Sequence, residues 1–177
     1  MTALAFALAG CTNNAGDGSG GGADAPASNE ADVEFLQGMI PHHEQAIDMA
    51  EMAVEQAESE QVKQLASRIQ DAQGPEIEQM RQMLRSIGAE ETSMDHDMDS
   101  VGGGMMSEEE MVAMSEAQGP EFDTMFLEMM IRHHEGAMEM AEQELAEGEM
   151  EEAKALAEKI IDEQEAEIEE MRSLLEA

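Results

Sequence analysis

This sequence predicts an all-α protein, a ferritin-like four-helix bundle built from two tandem helical hairpins with a long crossover between the second and third helices. Glu, Ala, Met, Leu and Gln dominate the composition, and Trp and Tyr are absent, which suits helices better than sheets. Phe35 aligns with Phe126, Met39 with Met130, Leu65 with Leu156, Gln73 with Gln164 and Met80 with Met171, without a gap, at one offset of 91 residues (126 minus 35). Such a repeat is two copies of one supersecondary unit, each leaving an apolar face for the other to cover. Residues 88–119 separate the copies, and a long connection between hairpins is the ferritin-like arrangement.

Residues 1–11 read as a lipoprotein signal segment. Leu4 to Leu8 form an apolar run too short to span a bilayer, and Leu8-Ala9-Gly10-Cys11 resembles a bacterial lipobox, with Cys11 as the lipidated residue. Only Met1, Thr2 and Ala3 precede the run, so the start of the signal is expected to be truncated. The competing reading is a disordered terminus with an accidental cysteine. Residues 12–31 are mostly Gly, Ser, Asn, Asp and Ala with one Pro, suited to a flexible linker. The domain, residues 32–177, is thus expected outside the cytoplasm, touching a membrane only through a lipid at Cys11.

The first helix is expected from about Asp32 to Glu60, because Phe35, Met39, His42 or His43, Ala46, Met49 or Ala50 and Ala53 recur at three-and-four spacing. Leu65, Ile69, Ala72 or Gln73, Glu76 or Ile77, Met80 and Leu84 carry the second helix to Ile87, where Gly88 suits a C-cap, giving a hairpin over 32–87. In the crossover, Ser107 to Ala117 has the makings of a helical turn. The second hairpin, 120–175, opens at Gly119-Pro120-Glu121 with proline at a first helical position. Its first helix runs to about Glu147, Gly148 marks the turn, and the last helix spans about Glu149 to Leu175. Pro41 and Gly74-Pro75 predict kinks in the first hairpin alone, since Arg132 and Glu165-Ala166 stand at those places in the second.

The repeat also carries the candidate chemistry. Met39-Ile40-Pro41-His42-His43-Glu44 recurs as Met130-Ile131-Arg132-His133-His134-Glu135, so four of the five histidines sit in two copies of one device. Hairpins related by a pseudo-two-fold axis can bring both pairs together across the bundle. Met39, Met49, Met130 and Met140 flank them, and imidazole with thioether suits a soft ion, Cu(I) or Ag(I), in a compartment where thiols oxidise. Buried polar packing is the competing reading for the histidines, and core packing for most of the 19 methionines. Gln73, Glu76, Gln164 and Glu167 repeat along inward faces, either as outer partners of the histidines or as a metal-free polar seam. In the crossover, Met94, His96, Met98, Met105 and Met106 stand where no helix stripe requires them, a possible loop metal site.

A formal charge of −34, without a basic patch or aromatic platform, argues against nucleic acid and anionic lipid as partners. The acidic excess suits a solvated surface or, less simply, a cation-attracting skin. No nucleophile and base pair or phosphate-binding loop is evident, and no catalytic role is assigned. A di-iron centre needs Glu three residues before His, where this chain has Met39 and Ile40 or Met130 and Ile131.

The doubled Met-Ile-x-His-His-Glu-x-Ala-x-x-Met-Ala and Gln-x-x-Glu-Ile-x-x-Met segments resemble the bacterial family called domain of unknown function 305, DUF305, over about Asp32 to Leu175. The resemblance implies a ferritin-like helical fold, export or lipid anchoring, and a link to copper binding and resistance. It carries over to His42, His43, His133 and His134 with Met39 and Met130. The expectation is an extracytoplasmic protein that sequesters Cu(I) or Ag(I) or serves copper homeostasis. Its rivals are an acidic structural or partner-binding module without metal, and a carboxylate-bridged redox enzyme.

Overall fold

The computed structural model describes residues 26–91 and 103–177. Helices α1 (Glu30–Gln56) and α2 (Glu60–Ile87) form one hairpin; a short helix, α3 (Glu108–Glu116), lies in the crossover; α4 (Pro120–Glu147) and α5 (Glu151–Leu175) form the other hairpin. No strand occurs among the described residues. The hairpins pack mainly through α1 against α4, with α2 against α5 closing a four-helix bundle.

Local chemistry sets the helix starts. The Asn29 side chain accepts from the Asp32 amide while the Asp32 carboxylate accepts from the Asn29 amide, so α1 begins at Glu30, ahead of the expected Asp32. Ser107 and Glu110 make the same box, turning the acidic stretch of the crossover into a true helix. Gly88, with φ of 73°, ends α2 in the left-handed conformation that costs glycine least. Helix α1 runs unbroken through Pro41, and α2 through Pro75, although Pro41 has no amide to offer the Gln37 carbonyl.

The turns inside the two hairpins fall short of the expected boundaries for one shared reason. Asp123, at the start of α4, accepts from the amides of Glu58 (2.9 Å) and Ser59 (2.8 Å), so α1 ends at Gln56 instead of running to Glu60. Asp32, at the start of α1, accepts from the amides of Glu149 (3.0 Å) and Met150 (2.8 Å), and α5 opens at Glu151 instead of Glu149. Each aspartate satisfies orphan amides at a helix start of the opposite hairpin. All the residues involved obey the 91-residue offset (123 minus 32, 149 minus 58), so the two clasps were duplicated with the fold.

The core divides into two apolar clusters. One holds Leu65, Ile69, Phe126, Met130, Ile168 and Met171; the other holds their repeat mates Leu156, Ile160, Phe35, Met39, Ile77 and Met80. Each cluster therefore draws residues from both hairpins, and neither hairpin can complete a core alone. The crossover adds Met106, Met114 and Ala117 to the first cluster. Between the clusters lie the positions 42, 43, 73 and 76 and their mates.

One buried acid departs from the repeat. Glu144 is 1% exposed, where the first copy has Ala53, and it lies over Gly148, where an added Cβ would come 2.2 Å from Glu144 Oε1. Burial first, then the adjacent Asp32 carboxylate, pushes its pKa from 4.5 up to about 8. Burial works to raise Asp32 as well, yet the amides of Asn29, Met150 and Glu149 hold it below the usual range. A carboxyl that keeps its proton longer in the folded state loses stability as pH rises, here from 4.5 towards 8. Glu144→Gln, which has no proton to lose, is expected to gain on the parent by more than about 1 kcal/mol above that window. Urea unfolding at both ends of the window checks this, and a gap independent of pH would refute it.

Candidate metal centre

Four histidines, two glutamates and two glutamines make a polar waist between the apolar clusters. Helix α1 places His42 and His43 one turn beyond Met39, and α4 does the same with His133, His134 and Met130. All four imidazoles are fully buried. Both members of each pair turn inward because α1 packs against α2 as well as α4, so residues about 100° apart on one helix both meet protein.

His42 and His133 touch across the pseudo-dyad, with ring centroids 3.8 Å apart and planes inclined by 46°. Their neighbours turn to the second helix of their own hairpin. His43 Nε2 lies 2.7 Å from Glu76 Oε2, and His134 Nε2 lies 2.7 Å from Glu167 Oε2. Glu76 and Glu167 thus each bond one histidine of the waist. Glu76 also accepts from Lys159 Nζ at 2.6 Å. Although burial opposes it, His43 and Lys159 keep Glu76 below the usual carboxylate range, so it is an anion and the His43 Nε2 proton donates to it. His42 Nε2 donates to the Gly103 carbonyl at 3.3 Å.

The waist is left with unmet polar atoms. The Nδ1 atoms of all four histidines and Nε2 of His133 have no hydrogen-bond partner, nor do both amide atoms of Gln73 and Oε1 of Gln164. An unpaired buried polar atom costs about 1–3 kcal/mol, so such a concentration is unusual unless the atoms have another use. Burial, then the neighbouring His43, lowers the His42 pKa from 6.5 to about 3, and burial with His42 and His134 nearby holds His133 well below its ordinary value. Both are neutral at pH 7, with lone pairs available, as metal binding requires. The residues present therefore fit a soft metal ion.

The rings are gathered but not arrayed as a finished cage. Among the described residues, no three His, Cys, Asp or Glu side chains are grouped as a ready metal cluster. The matched imidazoles meet as one touching pair flanked by two carboxylate-held rings. Met130 and Met49 lie in one apolar cluster; Met39 lies in the other, and half-buried Met140 packs against it beside Gly38. The candidate thioethers thus stand above and below the waist.

Of the residues of the possible loop metal site, the structure describes Met105 and Met106. Met106 is 1% exposed, its backbone held by Gln45 and its sulfur accepting from Arg132, and Met105 is half-buried. The chain here folds back onto α1 and α4, and Met106 joins the core. Met94, His96, Met98 and Cys11 lie outside the described residues. Gln45, Gly103 and Lys159 all contact the waist residues or the strap over them, and none stood out in the sequence. For Gln45 a signal existed, since its repeat mate is Gly136, a glycine in the middle of the duplicated segment.

Residues 32–175 match the family described as Domain of unknown function (DUF305). The chain is similar to a solved DUF305 fragment from Deinococcus radiodurans, at 33% identity and a TM-score of 0.78, covering 85% of this chain and 98% of that one. It is also similar to a DUF305 protein from Streptomyces coelicolor described as a candidate secreted protein, at 28% identity and a TM-score of 0.76, covering 82% and 91%. A third similarity is to CopM, solved with Cu(I), Cu(II) and silver bound; the Cu(I) form shows 34% identity and a TM-score of 0.70, covering 82% and 95%. A mimivirus protein of uncharacterised role is 42% identical over 53 residues, and the match spans about a third (35%) of its length. Among the described residues no helix is long and apolar enough to cross a membrane.

Unmet polar atoms weaken a protein that has nothing bound to them. His133→Leu removes two unpartnered nitrogens from a fully buried position, and the metal-free variant is expected to be more stable than the parent by about 1 kcal/mol or more. Urea unfolding in the presence of a chelator measures this, and a loss of stability would mean that the imidazole is there for packing.

Proposed function

Because the chain belongs to the DUF305 family, we propose that it is an extracytoplasmic soft-metal-binding protein, sequestering Cu(I) or Ag(I) or serving copper homeostasis at the histidine waist. The observation that carries this reading is the set of four buried imidazoles whose Nδ1 atoms all lack a partner. CopM, similar over most of its length, binds the same ions, which supports the assignment.

His42, His43, His133 and His134 would supply imidazole nitrogen, with Met39 and Met130 as the nearest thioethers in sequence and Met49 and Met140 behind them. Nitrogen and thioether donors favour monovalent copper and silver over hard cations. Glu76 and Glu167 hold two of the rings by Nε2, which fixes their orientation and raises their basicity. Ring contact between His42 and His133 leaves no space between their faces, so metal capture would turn at least one ring within the waist. The formal net charge of −34 would raise the local concentration of any cation. A lipid on Cys11 would keep this activity at a membrane surface, outside the cytoplasm.

Titration of the full chain with Ag(I) or Cu(I), beside a variant carrying Ala at 42, 43, 133 and 134, tests the reading. Affinity is expected to fall by more than about 100-fold in the variant. Unchanged affinity would favour the acidic partner-binding module, and iron or manganese in the natively purified protein would favour the redox enzyme.

A further inference from the structure

We propose that Gln45 and Gly136, the two members of one repeat position, are positioning residues for His42. Together they seat the Gly103 carbonyl on His42 Nε2 and thereby fix Nδ1 as the nitrogen that His42 offers to a metal. This inference rests on reading the waist as the soft-metal site.

The repeat itself supplies an Nε2 acceptor to only two of the four rings, through Glu76 and Glu167. His133 has none, and both of its nitrogens are unpartnered. His42 obtains an acceptor from outside the repeat, the carbonyl of Gly103 at 3.3 Å, in the stretch of crossover that leads to α3. A carbonyl can only accept, so Nε2 must carry the proton and Nδ1 the lone pair. His42 thus takes the same tautomer as His43, whose Nε2 proton faces the Glu76 anion, but by a longer and weaker bond.

Two features hold that carbonyl in place. Gln45 grips the strap from α1: its Nε2 donates to the Met106 carbonyl at 2.8 Å and its Oε1 accepts from the Met106 amide at 2.7 Å. Gly136 admits the strap from α4: a Cβ there would lie 1.6 Å from the Gly103 oxygen, so no other residue allows the strap to lie as it does. The roles cannot be exchanged. Glutamine at 136 would collide with Gly103, and glycine at 45 would release Met106. One motif position, read as His-His-Glu-Gln in α1 and His-His-Glu-Gly in α4, has become a grip on one side and a seat on the other.

Loss of the hydrogen-bond partner of a metal-binding histidine typically weakens metal binding about 10–100-fold. The test compares the full chain with Gly136→Ala and Gln45→Ala. Alanine favours a helix interior over glycine by up to about 1 kcal/mol, so the first variant has reason to fold, and the second is an independent route to the same displacement. Nitrogen-15 imidazole spectra of the metal-free proteins are expected to show His42 passing from a single Nε2–H tautomer to a mixture in both variants, with His43 and His134 unchanged. Ag(I) affinity is expected to fall about 10–100-fold. An unaltered His42 tautomer overturns the proposal without reference to any metal. Altered His42 with full Ag(I) affinity, while the quadruple alanine variant no longer binds, overturns the positioning role alone. Ag(I) binding that survives the quadruple variant overturns the waist reading itself, and the positioning role falls with it.

Discussion

The structure depends on a polar layer placed where a helical bundle would ordinarily continue its apolar core. The His42–His133 contact lies on the pseudo-dyad, and the two methionine-rich clusters lie on either side of it. Because each cluster draws on both hairpins, the apolar surface that drives the halves together also forces their histidines to meet. Desolvation then keeps the central rings neutral, since charging them in this layer is unfavourable. Fold and site are one arrangement: burying Phe35 against one half and Phe126 against the other leaves the imidazoles nowhere else to go.

Much of this was legible in the sequence because the repeat is ungapped. Phe35 with Phe126, Leu65 with Leu156 and the two His-His pairs announced a duplicated hairpin, and the spacing of Glu76 and Glu167 from their histidines placed each carboxylate on the facing helix. What escaped was set by contacts between the copies and not within them. The helix ends near Gln56 and Glu151 follow from Asp123 and Asp32 reaching across the bundle, which no periodicity within one helix reports. Met106 belongs to no helix stripe; Gln45 and Arg132, far away in sequence, bring it into the core. Lys159 carried no motif, yet it shares Glu76 with His43.

The departures from symmetry are where each copy has acquired work of its own. Lys159 and its mate Arg68 show this for charge: Lys159 reaches inward to Glu76 at 2.6 Å, whereas Arg68 turns outward to Glu170. Glu76 therefore divides its negative charge between an ammonium and an imidazole, and among the described residues Glu167 is bonded to His134 alone. Glu144 against Ala53 shows it for a buried acid, tolerated only because Gly148 makes room. In each case a pair of equivalent positions holds different residues, and the structural consequence is confined to one half of the bundle.

These departures bear on how a symmetric waist would handle an ion. Two equal sets of donors related by an exact dyad would bind equally well from either side, with no preferred path in or out. Here one face of the histidine pair is covered by the Gly103 strap, gripped by Gln45 and tied through Arg132 to Glu110, while His133 keeps both nitrogens free. One central ring is therefore held in a set tautomer and the other is unconstrained by any hydrogen bond. Turning His133 would break no hydrogen bond, whereas turning His42 would break the one to Gly103. His133, facing the held ring His42, is thus the central ring that no hydrogen bond fixes, and the two carboxylate-anchored rings stand beside the pair.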